Sequence, residues 1–142
     1  ITPNVTEACL MLSEQYKAPP YTKEYIEDLL LKLSKICKGT IVLTGACLNE
    51  NEQGAAAYSV KDGKFSFVSC PKIAGLYHGT GDVFASVFVS SMVLGRGMEK
   101  SLTTAVKFTC LAIENTAQNM PDLWYGVNFE GVLSNLSKLL EE

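Results

Sequence analysis

Residues 77–97 read YHGTGDVFASVFVSSMVLGRG. Gly79 and Gly81 bracket Thr80, and Asp82 follows before a long apolar run suited to a helix. Glycine reaches backbone conformations closed to other residues, so the N–H groups around Thr80 can turn inward as an anion-binding nest at a helix start. Helix-end donors and the helix dipole favour phosphate there. Asp82 falls in the first helical turn, where a carboxylate also stabilises the dipole by a few tenths to about 1 kcal/mol. Two readings stand side by side: the acidic first turn of a glycine-rich cap, and a general base beside an anion site. A carboxylate next to a bound phosphate repels it unless it has a use, such as taking a proton from an attacking hydroxyl. The second reading means group transfer to an alcohol.

Outward from this stretch, helical and extended elements alternate. Apolar residues recur at helical spacing from Asn4 to Tyr16, and APPYT at 18–22 ends that helix and begins another at Thr22. The second helix carries Tyr25, Ile26, Leu29, Leu30, Leu33 and Ile36 on one side and ends near Gly39. TIVLTG, 40–45, is apolar without alternation and predicts a buried strand. AAAYSV and KFSFVSC, joined through Lys61-Asp62-Gly63, predict a hairpin, because Asp-Gly accepts positive φ in turns. Beyond the opening stretch the pattern predicts a helix over 99–118, a loop holding Pro121 and Trp124, and a last helix over 129–140. Helices covering a sheet make this an α/β layer.

The whole-chain properties narrow the function. At 142 residues, with 47% hydrophobic and 19% charged, the chain has the size and balance of one globular domain. Twelve basic and fifteen acidic residues leave a net charge of −3 with no basic cluster, so a nucleic-acid partner is not expected. The five cysteines, Cys9, Cys37, Cys47, Cys70 and Cys110, are odd in number and form no C-x-x-C pair. That pattern predicts reduced, mostly buried thiols instead of a disulfide framework or zinc site. No apolar stretch reaches the roughly 20 residues of a membrane helix and no signal segment opens the chain, so a cytoplasmic protein is expected. The start at Ile1, without methionine, suggests a fragment or processed product.

A second motif lies at the start, in TPNVTE, where Asn4 and Glu7 are three apart at a predicted helix N-terminus. The spacing is that of a capping box, in which the side chains and backbone N–H groups satisfy each other. The same geometry can present an amide and a carboxylate to the water shell of a hard divalent cation such as Mg2+.

TPNVTE followed downstream by GTGDVF resembles the paired signature of the ribokinase-like superfamily, its N-x-x-E magnesium motif and G-x-G-D catalytic turn. Order, separation and the intervening strand and hairpin agree, so the resemblance covers residues 1–142. It implies a Rossmann-like three-layer α/β/α fold, present in part, with a β-hairpin and C-terminal helices. Within the superfamily, ITPN and GTGDVFAS are similar to the pyridoxal kinases. Sugar kinases more often show G-A-G-D, and hydroxymethylpyrimidine kinases typically carry cysteine where Asp82 stands.

The resemblance implies that Asp82 is the general base on the substrate hydroxymethyl group, and that Gly79, Thr80 and Gly81 form the anion hole for the transferring phosphoryl group. Asn4 and Glu7 would bind or order Mg2+ at the nucleotide phosphates, Thr2 would lie beside them, and Thr44 would contact ATP. Mg2+ and ATP are the implied cofactor and co-substrate, with room for a monovalent cation, and a B6 vitamer is the implied acceptor. Two alternatives stand: a hydroxymethylpyrimidine (phosphate) kinase, and a non-catalytic nucleotide-binding module. Family members are longer, so the chain resembles the C-terminal, nucleotide-binding and catalytic part of the kinase domain. It would lack the pyridine-recognising residues and activity of its own, and would associate as a homodimer or with the missing half, because a cut sheet exposes edges and an apolar face.

Other conspicuous residues read as structural. His78 adjoins the turn, but a lone loop histidine is more often structural than a phosphate contact. Tyr58, Phe65 and Phe67 suit sheet packing better than an adenine pocket. Trp124 and Tyr125 read as loop packing, Lys107 and Glu114 as a solvated helix face, and Cys110 as buried in a helix.

Overall fold

A computed structural model of the chain describes residues 1–119 and 125–141. Contacts divide it into two compact units, Ile1–Lys72 and Ile73–Glu142.

The first unit contains helices α1 (Val5–Leu12) and α2 (Lys23–Leu33) and strands β1 (Thr40–Thr44), β2 (Glu52–Ser59) and β3 (Lys64–Pro71). The strands form an antiparallel sheet in the order β1-β2-β3. Ile41, Val42 and Leu43 have no exposed surface, and Ala55, Ala56 and Ala57 on β2 are buried too. Burial on both faces is the reason the β1 run does not alternate. Ile41, Leu43 and Ala56 share a core with Val5, Ala8 and Cys9 of α1 and Ile26, Leu29, Leu30 and Leu33 of α2. The aromatics Tyr58, Phe65 and Phe67 pack against this core, as the packing reading predicts.

Both helices end earlier than periodicity predicts. α1 stops at Leu12 because Ser13 adopts a left-handed conformation (φ 56) and turns its N–H back to the Cys9 and Leu10 carbonyls. α2 stops at Leu33, and Ile36, placed by the sequence on the packed side, is 60% exposed. The hairpin loop spans residues 60–63, with Gly63 left-handed (φ 64) and its N–H donating to the Ser59 carbonyl. Asp62 contributes through its carboxylate, which accepts from the Ser59 hydroxyl at 2.8 Å.

The second unit is helical: α3 (Thr80–Val93), α4 (Met98–Asn119), a 3-10 turn (Glu130–Val132) and α5 (Leu133–Glu141). α3 packs along α4, and Phe84, Val87 and Phe88 of α3 and Leu102, Ala105 and Phe108 of α4 are buried. Between them the buried Ser101 hydroxyl donates to the buried Ser91 hydroxyl at 3.0 Å. The last helix begins through the 3-10 turn instead of directly at Phe129. Lys107 and Glu114 are exposed as expected, and Tyr125 is 69% exposed. Pro121 and Trp124 lie outside the described residues. Among the described residues no helix is long and apolar enough to cross a membrane.

The cysteines depart from the expected reduced, buried set. Cys9, Cys37 and Cys47 are free, and of these only Cys9 is buried. Cys70 and Cys110 are half-buried and disulfide-bonded, against the expectation of reduced thiols.

Gly54 fixes the sheet by its missing side chain: a Cβ there would run into the Val68 carbonyl oxygen and come 2.8 Å from the Ser69 Cα. Gly54→Ala is expected to cost about 1–3 kcal/mol in denaturant unfolding. Gly39→Ala, where a Cβ meets nothing within 4 Å, is the near-neutral control.

Candidate active site

In the first unit the predicted magnesium and nucleotide residues gather at the C-terminal end of β1. Residues 1–4 run alongside that strand: the Ile1 amino group donates to the Thr40 carbonyl at 3.0 Å, and the Val42 and Thr44 amides donate to the Ile1 and Pro3 carbonyls at 2.9 and 3.0 Å. A parallel bridge pairs Asn4 with Thr44. The exposed Asn4 and Glu7, the half-buried Thr44 and the half-buried Thr2 therefore belong to one neighbourhood.

There Asn4 and Glu7 form the capping box. Asn4 Oδ1 accepts the Glu7 N–H at 2.8 Å and Glu7 Oε2 accepts the Asn4 N–H at 2.9 Å. Among the described residues no three His, Cys, Asp or Glu side chains converge as a metal cluster. One exposed carboxylate beside a threonine and an amide still fits Mg2+, which keeps most of its water shell and takes one or two protein carboxylates with substrate phosphates.

In the second unit the G-x-G-D stretch opens α3. Gly79 is its N-cap in the left-handed conformation (φ 77, ψ 0), with no side chain to cap the helix. The first helical hydrogen bond runs from the Val83 N–H to the Gly79 carbonyl at 3.1 Å. A helix leaves its earliest N–H groups without internal partners, here those of Thr80, Gly81 and Asp82. Asp82 sits in the first turn and is exposed, as are Gly79 and Gly81, while Thr80 is half-buried. A Cβ on Gly81 would meet nothing within 4 Å, so nothing inside the fold requires glycine there. His78 is exposed and contributes through its backbone, whose carbonyl accepts the Val127 N–H at 3.0 Å. Sequence reasoning missed that contact, and only Asn128, set three residues before Gly131, hinted at an ordered turn near it.

Residues 1–122 match the family profile described as phosphomethylpyrimidine kinase. The chain belongs to this family. A crystal structure from Bacteroides thetaiotaomicron assigned as a phosphomethylpyrimidine kinase is 32% identical over 96% of this chain and 46% of its own length, with a TM-score of 0.88. An orthorhombic form with pyridoxal, also from that organism, matches at 28% identity, 96% of this chain, 48% of its own and a TM-score of 0.82. Pyridoxal kinase from Lactobacillus plantarum matches at 29% identity, 99% of this chain, 49% of its own and a TM-score of 0.78. No curated protein matches the chain. This family member has the ribokinase-like α/β fold and spans about half the length of the structures it matches.

The capping box carries a separable prediction. Asn4→Ala should cost about 1 kcal/mol of stability by removing the N-cap acceptor. Glu7→Gln keeps an acceptor at the third helical position and should leave thermal unfolding unchanged.

Proposed function

We propose that the intact protein is an ATP-dependent kinase that phosphorylates the 5'-hydroxymethyl group of pyridoxal, pyridoxine or pyridoxamine, acting in the cytoplasm. The observation that carries this reading is the start of α3, where an exposed carboxylate stands in the same helical turn as backbone donors that no side chain caps. Asp82 takes the proton from the acceptor hydroxyl as its oxygen attacks the γ-phosphorus. The bond from that phosphorus to the β,γ-bridging oxygen breaks, and ADP leaves. The amides of Gly79, Thr80 and Gly81 hold the oxygens of the transferring group, which suits a reaction in which the protein mainly positions reactants and balances charge. Asn4 and Glu7 would hold Mg2+, with Thr2 beside them and Thr44 toward the nucleotide phosphates, and the ion would supply neutralisation of phosphate charge.

Asp82 favours a B6 vitamer as acceptor, because the chain resembles pyridoxal kinases at this position and the hydroxymethylpyrimidine kinases typically have cysteine there. A relative solved with pyridoxal supports the same choice. Phosphorylation of a hydroxymethylpyrimidine is the second reading, favoured by the description of the family itself. This chain supplies the C-terminal, nucleotide-binding and catalytic part of one kinase domain, both units included, and is inactive without the rest.

Assays of the full-length protein with Mg-ATP and each acceptor test the reading. Pyridoxal should be phosphorylated in preference to the pyrimidine, and Asp82→Asn should lower turnover about 100-fold or more while ATP binding changes little. Turnover in Asp82→Asn equal to wild type contradicts the base assignment, and preference for the pyrimidine overturns the acceptor.

A further inference from the structure

In the second unit a chain of hydrogen bonds runs from the interior of α4 to the residue before Gly79. Thr116 is 2% exposed, and its hydroxyl donates to the Ala112 carbonyl at 2.7 Å while accepting the Asn128 N–H at 2.8 Å. Asn115, next along the helix, donates from Nδ2 to the Asn128 carbonyl at 2.9 Å. Both main-chain polar groups of Asn128 are thus gripped by α4. The Asn115 amide is itself oriented, since its Oδ1 accepts from Asn119 Nδ2 at 2.8 Å. Gly131 makes room for it, because a Cβ there would come 2.7 Å from Asn115 Nδ2.

One residue back, Val127 is buried among Ala112 and Ile113, with Tyr77 packed against the same cluster. Its N–H donates to the His78 carbonyl at 3.0 Å, and the Gly126 Cα lies 4.0 Å from where a Cβ on Gly79 would stand. Two peptide units therefore connect a buried hydroxyl on α4 to the backbone that sets the direction of the Gly79 turn. Glycines give that turn its shape and also its freedom. Donors that stabilise a developing charge must be held in place before the reaction, so the restraint has to come from outside the turn.

We infer that Thr116, with Asn115, is a positioning residue of the catalytic turn: it fixes Asn128 and Val127, which hold the His78 carbonyl and so aim the amides of Gly79, Thr80 and Gly81. The inference rests on the phosphoryl-transfer reading of that turn. Neither residue touches the reacting atoms.

The test uses the full-length kinase with Thr116→Val, which keeps the shape and removes the hydroxyl, and Thr116→Ser, which keeps the hydroxyl. Thr116→Val should lower kcat about tenfold or more with KM for ATP within about threefold, the pattern of a loss felt in the transition state. Thr116→Ser should retain kcat to within about threefold of wild type. Hydrogen exchange on the same proteins should quicken in peptides covering 77–82 and 126–129 for Thr116→Val and not for Thr116→Ser. If Thr116→Val does not fold, Asn115→Ala, at a half-buried position, should move kcat and exchange in the same direction. Unchanged kcat per folded molecule with unchanged exchange at 77–82 overturns the inference, even if thermal stability falls, and so does a serine variant as impaired as the valine one. A wild type that phosphorylates neither acceptor overturns the phosphoryl-transfer reading, and exchange at 77–82 then decides on its own whether Thr116 fixes the turn.

Discussion

The start of α3 is a helix end that no side chain caps. Backbone donors at a helix N-terminus are normally satisfied, and the other two helix starts in which a cap forms show how. α1 is closed by the reciprocal pair of Asn4 and Glu7, and α2 by the Thr22 side chain, which accepts the Tyr25 N–H at 3.2 Å. α3 has glycine at the N-cap, left-handed and without a capping side chain. A threonine cap in place of glycine is worth no more than a few tenths of a kcal/mol in an ordinary helix. Glycine there leaves the helix end without a side chain over its donors, and phosphate is the ligand such an end prefers.

The first turns of α3 are packed: Phe84 and Phe88 anchor them through buried, stacked rings. The segment after Gly126 ties the loop before Gly79 to the C-terminal part of α4. In the first unit, the parallel run of residues 1–4 beside β1 serves a similar end, bringing Asn4 to Thr44 across a bridge that local sequence does not encode. In each unit, a polar group at an element's end takes its position from a neighbouring element of regular structure.

What the sequence disclosed followed from local physics. The unalternating TIVLT announced a strand buried on both faces, Asp62-Gly63 announced a hairpin, and the N-x-x-E spacing announced a capping box that the structure contains. The glycines of the turn and Asp82 were legible because helix-start chemistry is a matter of consecutive residues. Helix ends were less so: Ser13 stops α1 by a left-handed conformation that serine adopts only when the surroundings favour it. The bonds from Thr116 and Asn115 to Asn128, and from Val127 to His78, were invisible, because they join residues 12 or more apart through main-chain atoms that every residue possesses.

Gly81 offers the most direct test of the claim that the open helix end exists to hold a transferring phosphoryl group. Its absent side chain does nothing for the fold, since a Cβ there meets no atom within 4 Å and alanine is the better helix former by about 1 kcal/mol. Turnover and unfolding of Gly81→Ala in the full-length protein should therefore diverge: stability unchanged or slightly raised, and phosphoryl transfer reduced about tenfold or more as the methyl group crowds the anion. Wild-type turnover in a Gly81→Ala protein of undiminished stability would contradict the account.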